Sequence, residues 1–200
     1  MTAAIDFYFD FSSPYGFLAS QKIEALAERH GRIVDWHPVL LGVIFKETAM
    51  APLTMIPLKG DYSKRDFERS ARFHGIPFRI PSKFPISSQV PSRIVLWQKA
   101  TDPTLAVRVA KALYRAYFLG DIDISDPDAA VAVAAKEGVD ANVAGAAIVE
   151  PAIKDQLRRE IEQAMARGVF GSPFIIVDGE PFWGLDRFDQ IERWLASGGF

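Results

Sequence analysis

Three stretches of this sequence place polar side chains where chemistry is possible. The first is Asp10-Phe11-Ser12-Ser13-Pro14-Tyr15-Gly16. An apolar run, Ile5–Phe9, leads into it, and a helical pattern begins at Pro14. Ser13 then falls at the N-cap and Pro14 at the first helical position, where a missing N–H costs nothing. A helix start carries unpaired N–H groups and a partial positive charge, so it holds anions. Ser13 is therefore either a simple cap, contributing about 1 kcal/mol, or a hydroxyl that donates to a bound anion. The second stretch is Ser172-Pro173, a loop entering a strand. The third is Trp183-Gly184-Leu185-Asp186, whose aspartate is placed to cap the last helix. A basic, aromatic segment with Lys46, Lys59, Tyr62, Lys64, Arg65 and Arg69 offers one or two cations for a carboxylate, the rest reading as a solvated helix face.

What is missing narrows the chemistry further. The chain has no cysteine, so disulfides, thiolate zinc sites, iron–sulfur clusters and cysteine nucleophiles are excluded. His30, His37 and His74 are scattered without metal-ligand spacing, and no metal is expected. Neither a glycine-rich phosphate loop nor a Gly-x-Ser-x-Gly elbow is present.

The elements that must position these residues follow from the patterning. Residues 5–9 read as a strand, 14–30 as a helix stopped by Gly31, and 32–37 as a second strand ending at Pro38, a βαβ unit with parallel strands. Val39–Phe45 is apolar, and 51–60 reads as a loop. Tyr62–His74 reads as a helix with Ser63 and Asp66 as a capping box, followed by a proline-rich loop over 78–91. Helices are predicted over 92–99, 103–118, from Asp126 to Gly138, near 140–147 and over 151–167. Phe174–Val177 and Pro181–Trp183 flank Asp178-Gly179, a strong hairpin signal, and a last helix runs to Leu195. The order describes an α/β domain of βαβ…ββα type, over 1–45 and 168–200, split by an all-helical insertion over 46–167.

With 200 residues, 49% of them hydrophobic and 24% charged, the composition is that of an ordinary soluble globular chain. The net charge of -2 gives no electrostatic footprint for nucleic acid or an anionic membrane. The start of the chain lacks a signal-peptide pattern and no apolar run is long enough to span a bilayer, so a cytoplasmic location is expected.

The βαβ…ββα frame resembles the thioredoxin fold. Phe7-Tyr8-Phe9-Asp10-Phe11-Ser12-Ser13-Pro14-Tyr15, Val169-Phe170-Gly171-Ser172-Pro173 and Trp183-Gly184-Leu185-Asp186-Arg187 carry the likeness further. Together they resemble the 2-hydroxychromene-2-carboxylate isomerase family, kin to kappa-class glutathione transferases and DsbA-like oxidoreductases. Phe45-Lys46-Glu47-Thr48 and Arg69–Pro77 are also similar to kappa-class segments. Ser13 stands where the redox relatives carry their attacking cysteine. With no cysteine in the chain, disulfide exchange by it is impossible.

The resemblance implies a glutathione cofactor whose thiolate faces Ser13. It also implies a cis Ser172-Pro173 bond, with the Ser172 N–H and C=O free to pair with the cysteinyl backbone. Trp183, Gly184, Leu185 and Asp186 would complete the glutathione site, Asp186 taking the γ-glutamyl amino group. Lys46, Met50, Tyr62 and Ser87 are the implied substrate contacts. Here the chain departs from the family: Met50 and Ser87 stand where relatives carry asparagines, and Leu185 where many carry a polar residue. The implied reaction is glutathione-dependent isomerisation of a small aromatic carboxylate, of the 2-hydroxychromene-2-carboxylate to trans-o-hydroxybenzylidenepyruvate type, by a homodimer. Two alternatives stay open: a kappa-class-like transferase that conjugates glutathione to electrophiles, and a non-catalytic DsbA-like binding protein.

Overall fold

The computed structural model describes residues 3–200. Its centre is a four-stranded sheet of β1 (Ile5–Phe9), β2 (Val34–Pro38), β3 (Phe174–Val177) and β4 (Glu180–Trp183), in the order β2-β1-β3-β4. β1 runs parallel to β2, with Phe7 opposite Trp36, and antiparallel to β3, with Phe7 opposite Ile175. β3 and β4 form an antiparallel hairpin about Asp178-Gly179. The expected split frame is thus present. Central β1 is flanked on both edges and buried on both faces, which accounts for its near-continuous aromatic run.

Alternation along β1 divides the interior in two. Ile5, Phe7 and Phe9 face one core with Phe11, Phe17, Trp36, Tyr114, Phe118 and Ile175. Tyr8 faces the other with Ile44, Leu96, Leu157, Phe174 and Ile176. Burial of each large apolar side chain contributes about 1.5–3 kcal/mol. The aromatic density of the first core therefore fixes where β1 ends and the Ser13 turn begins.

Ten helices surround the sheet among the described residues: α1 (Pro14–Ser20), α2 (Ile23–Arg29), α3 (Leu41–Glu47), α4 (Lys59–Phe73), α5 (Gln89–Lys99), α6 (Pro103–Phe118), α7 (Pro127–Lys136), α8 (Ala141–Ala147), α9 (Pro151–Ala166) and α10 (Phe188–Ser197). α3 to α9 lie between β2 and β3. Asp102, Asp126 and Asp140 each cap the helix that follows, accepting from main-chain N–H groups at 2.9–3.0 Å.

Three local expectations are corrected, and one stretch left without an assignment is a helix. The single helix over 14–30 is two. Ser20 Oγ donates to the Phe17 carbonyl at 2.6 Å, and the chain breaks step at Gln21–Lys22. The apolar stretch after Val39 is helix α3. The capping box does not form, because α4 begins earlier, at Lys59. Ser63 Oγ instead donates to the Gly60 carbonyl at 2.9 Å. Finally, α5 starts at Gln89, with Pro91 accommodated in its first turn.

Candidate active site at the start of α1

β1 delivers the chain to the Ser13 turn, and the turn is tied down by side chains from across the sequence. Ser13 is extended (φ -93°, ψ 114°), and its Oγ accepts from the Gly16 N–H at 3.0 Å, so it is a true N-cap. The same hydroxyl donates to the Ser172 carbonyl at 2.8 Å. Ser172 Oγ accepts in turn from the Asp10 N–H at 2.9 Å. Gly16 is required by this closeness. A Cβ there would sit 2.7 Å from Ser172 Oγ and 2.8 Å from the Tyr114 hydroxyl.

The Ser172-Pro173 bond is cis. Of the two Ser172 backbone groups expected to be free, the carbonyl is not, since it accepts from Ser13. Its N–H has no partner among the described residues. The Pro173 carbonyl accepts from the Gly184 N–H at 3.1 Å, which joins the 172–173 loop to the 184–186 turn. Gly184 holds φ +109°, and a Cβ there would collide with the Asp186 carboxylate. α1 packs against this turn as well.

Asp186 does not cap α10. The N-cap is Arg187, without a side-chain cap bond, and the Asp186 carboxylate is 71% exposed beside Arg187 at 3.4 Å. The 185–187 segment forms a 3-10 turn before α10, which carries the aspartate one residue clear of the helix start. Leu185 is buried in the first core, which explains an apolar residue in this loop. Trp183 is half-exposed, its ring edge-on to Phe170 at 4.9 Å.

All four implied substrate residues are exposed. Ser87 is exposed between two anchored neighbours. The Ile86 N–H donates to Ser12 Oγ at 3.1 Å, and the buried Ser88 side chain lies beside the Asp10 carboxylate. Lys46 and Met50 are exposed at and just beyond the end of α3. Tyr62 is exposed on α4, where its hydroxyl accepts from Arg69 at 2.9 Å and its ring lies under the guanidinium. Among the described residues, none of these four bonds Ser13 or Ser172. α4 itself is tied to α1 because the Tyr15 hydroxyl donates to the Asp66 carboxylate, which also receives Arg69.

Sequence patterns missed Asp10, Tyr114, Tyr15 and Asp66 as parts of this constellation. A lone carboxylate after an aromatic strand was the available signal for Asp10. Its partners come from Leu41 and Ser88, too distant in sequence to be paired by spacing.

A second polar cluster lies on the sheet's other face, against α9. His37 Nε2 is 3.2 Å from both Asp6 and Asp35, and its Nδ1 is 3.5 Å from Glu160. Asp6, Asp35 and His37 stand close enough to hold a metal. Lys99 already pairs with Asp35 at 2.5 Å, however, and Arg167 with Asp6 at 2.6 Å, so the cluster is an ion-pair network. Burial works against the imidazolium, but the three carboxylates outweigh it and raise the His37 pKa to about 10.

The chain matches the model of the DSBA-like thioredoxin domain over residues 4–196. It is 32% identical over 203 residues to 2-hydroxychromene-2-carboxylate isomerase of Sphingobium xenophagum, covering 98% of this chain and 100% of that protein. The chain belongs to the DSBA-like thioredoxin domain family. It is also 27% identical over 220 residues to glutathione S-transferase kappa 2 of Caenorhabditis elegans, covering 96% and 92% of the two chains. Among solved structures it is similar to that of a 2-hydroxychromene-2-carboxylate isomerase, with a TM-score of 0.87, 24% identity and coverage of 97% and 95%. The resemblance and the thioredoxin-like α/β fold expected from the sequence are borne out. Its relatives in the family are enzymes, isomerases among them. Among the described residues no helix is long and apolar enough to cross a membrane.

Proposed function

We propose that this family member is a glutathione-dependent isomerase of a small aromatic carboxylate, of the 2-hydroxychromene-2-carboxylate type. The observation that carries the reading is the buried Ser13 hydroxyl at the start of α1, beside the unpartnered Ser172 N–H. Relatives named as isomerases of that acid and as kappa glutathione transferases support the ligand and the reaction class.

Glutathione held here would supply a thiolate nucleophile that is returned unspent in an isomerisation. The chain's residues hold and charge it. Ser172 offers its N–H, and its carbonyl's second lone pair, to a cysteinyl backbone in the manner of an added strand. Ser13 turns its O–H from the Ser172 carbonyl to the sulfur while its oxygen still accepts from Gly16. That donor and the partial positive charge of the helix start lower a thiol pKa from its free value near 8.5. Serine donates here without competing as a strong nucleophile. Asp186, exposed in the turn packed against α1, takes the γ-glutamyl ammonium.

Glutathione titrated calorimetrically into the protein tests the ligand; absence of binding would leave the non-catalytic reading. Turnover with glutathione unspent supports isomerisation. Glutathione consumed mole for mole with an electrophile would establish the kappa-type transferase that several relatives suggest. Asp186→Ala is expected to weaken glutathione binding about tenfold, in line with loss of one charge-assisted bond, with little change in melting temperature. Equal affinity in the variant would remove Asp186 from the site. We further take the enzyme to act as a cytoplasmic homodimer, which light scattering and cell fractionation can decide.

A further inference from the structure

Asp10 is 2% exposed, and the glutathione reading gives it no task. Its carboxylate gathers two main-chain donors. The Ser12 N–H reaches one oxygen at 2.7 Å and the Leu41 N–H reaches the other at 2.6 Å, while the Ser88 side chain lies alongside and favours the charged form. No cationic side chain is among the groups acting on it, and burial pushes its pKa above the usual carboxylate range against the pull of those donors.

These three groups belong to three different elements. Ser12 is in the Ser13 turn. Leu41 is the first residue of α3, whose own N-cap Leu40 has no side chain to offer. Ser88 is the N-cap of α5 and makes no cap bond to its own helix. The main chain of Asp10 is equally engaged, its carbonyl accepting from the Tyr114 hydroxyl at 2.8 Å and the Ser13 N–H at 2.9 Å.

We propose that Asp10 is the positioning residue of this site: its carboxylate clamps the Ser13 turn to the start of α3, with the start of α5 set against it. α3 leads to Lys46 and Met50, and Ser87 precedes α5 directly. One buried charge therefore sets both the groups that face a ligand's sulfur and the segments that flank it.

Two opposing effects make the claim testable. By charge alone, a buried anion near the sulfur raises a thiol pKa, so neutralising Asp10 would lower it. By position, neutralising Asp10 loosens the Ser13 turn and raises it. Asp10→Asn keeps the volume but turns an NH2 toward one of two fixed N–H donors, so at least one bond is lost.

The variant is expected to raise the pKa of bound glutathione by about one unit, a tenfold fall in the thiol's ionisation constant. It is also expected to speed amide hydrogen exchange at Ser12 and Leu41 while Val109 in α6 exchanges as before. Ser88→Ala removes the hydroxyl beside the carboxylate and leaves both N–H bonds, so a smaller shift of the same sign is expected. That variant carries the test should Asp10→Asn fail to fold. A lowered thiol pKa, or native exchange at Ser12 and Leu41, would overturn the proposal. The thiol arm rests on the glutathione reading and the exchange arm does not. If the unaltered protein fails to lower the pKa of glutathione, that reading falls, and the exchange rates decide the role of Asp10 by themselves.

Discussion

The Ser13 hydroxyl is engaged twice, accepting from Gly16 and donating to the Ser172 carbonyl. A ligand sulfur must therefore compete with a carbonyl for one proton, and the carbonyl can be repaid by a ligand N–H. This exchange leaves the number of hydrogen bonds unchanged, so it costs little beyond ordering. Gly16 keeps the space that lets Ser172 approach. Gly16→Ala is expected to destabilise the fold by about 1–3 kcal/mol, as overpacking does, and to cut turnover more than stability alone explains. Urea unfolding and initial rates on the same preparation check both. Ser13 and its cap were legible from Ser-Pro after a strand, because that signal is local. The task of Asp10 was not, because Leu41 meets it through a main-chain N–H and Ser88 lies far along the chain.

At the scale of elements, the frame was legible wherever period and punctuation agree. The strands, the Asp178-Gly179 hairpin and the aspartate-capped helices carry their own signals. The break between α1 and α2 was not legible. No glycine or proline marks it, and Ser20 interrupts the helix by bonding a carbonyl of its own first turn. The start of α4 was misplaced for a related reason: a Ser-x-x-Asp pattern matched a capping box, whereas Asp66 is drawn to Tyr15 and Arg69. The Asp186 cap failed likewise, since a 3-10 turn intervenes. Of these, only Asp66 was diverted by a partner far along the chain.

Across the whole molecule, the sheet's two faces are used differently. One packs the aromatic core that supports the Ser13 turn; the other carries the His37 network that ties β1 and β2 to α9. His37 is raised from 6.5 to about 10, so its contribution is complete below pH 6.5 and is lost as pH climbs toward 10. Asp35 and Asp6 are held below their ordinary value by His37 with Lys99 and with Arg167, despite burial, and Glu160 is lowered chiefly by His37. Their contribution is present above the ordinary carboxylate range and is lost as pH falls through it. Thermal stability is therefore expected to be greatest between about pH 5 and 6.5 and to fall by roughly 2 kcal/mol toward pH 10, with His37→Gln flattening the alkaline slope. Calorimetric scans across pH decide it, and an unaltered slope in the variant would remove His37 as its source.

The central claim is that Ser13 at the start of α1 steadies a thiolate borrowed from glutathione. Ultraviolet thiolate absorbance of bound glutathione, titrated with pH in the unaltered protein and in Ser13→Ala, tests it most directly. A thiol pKa at least one unit below the free value near 8.5, returning toward that value in Ser13→Ala with turnover lost, is the predicted result. The same thiolate titration and the same turnover in both proteins would contradict it.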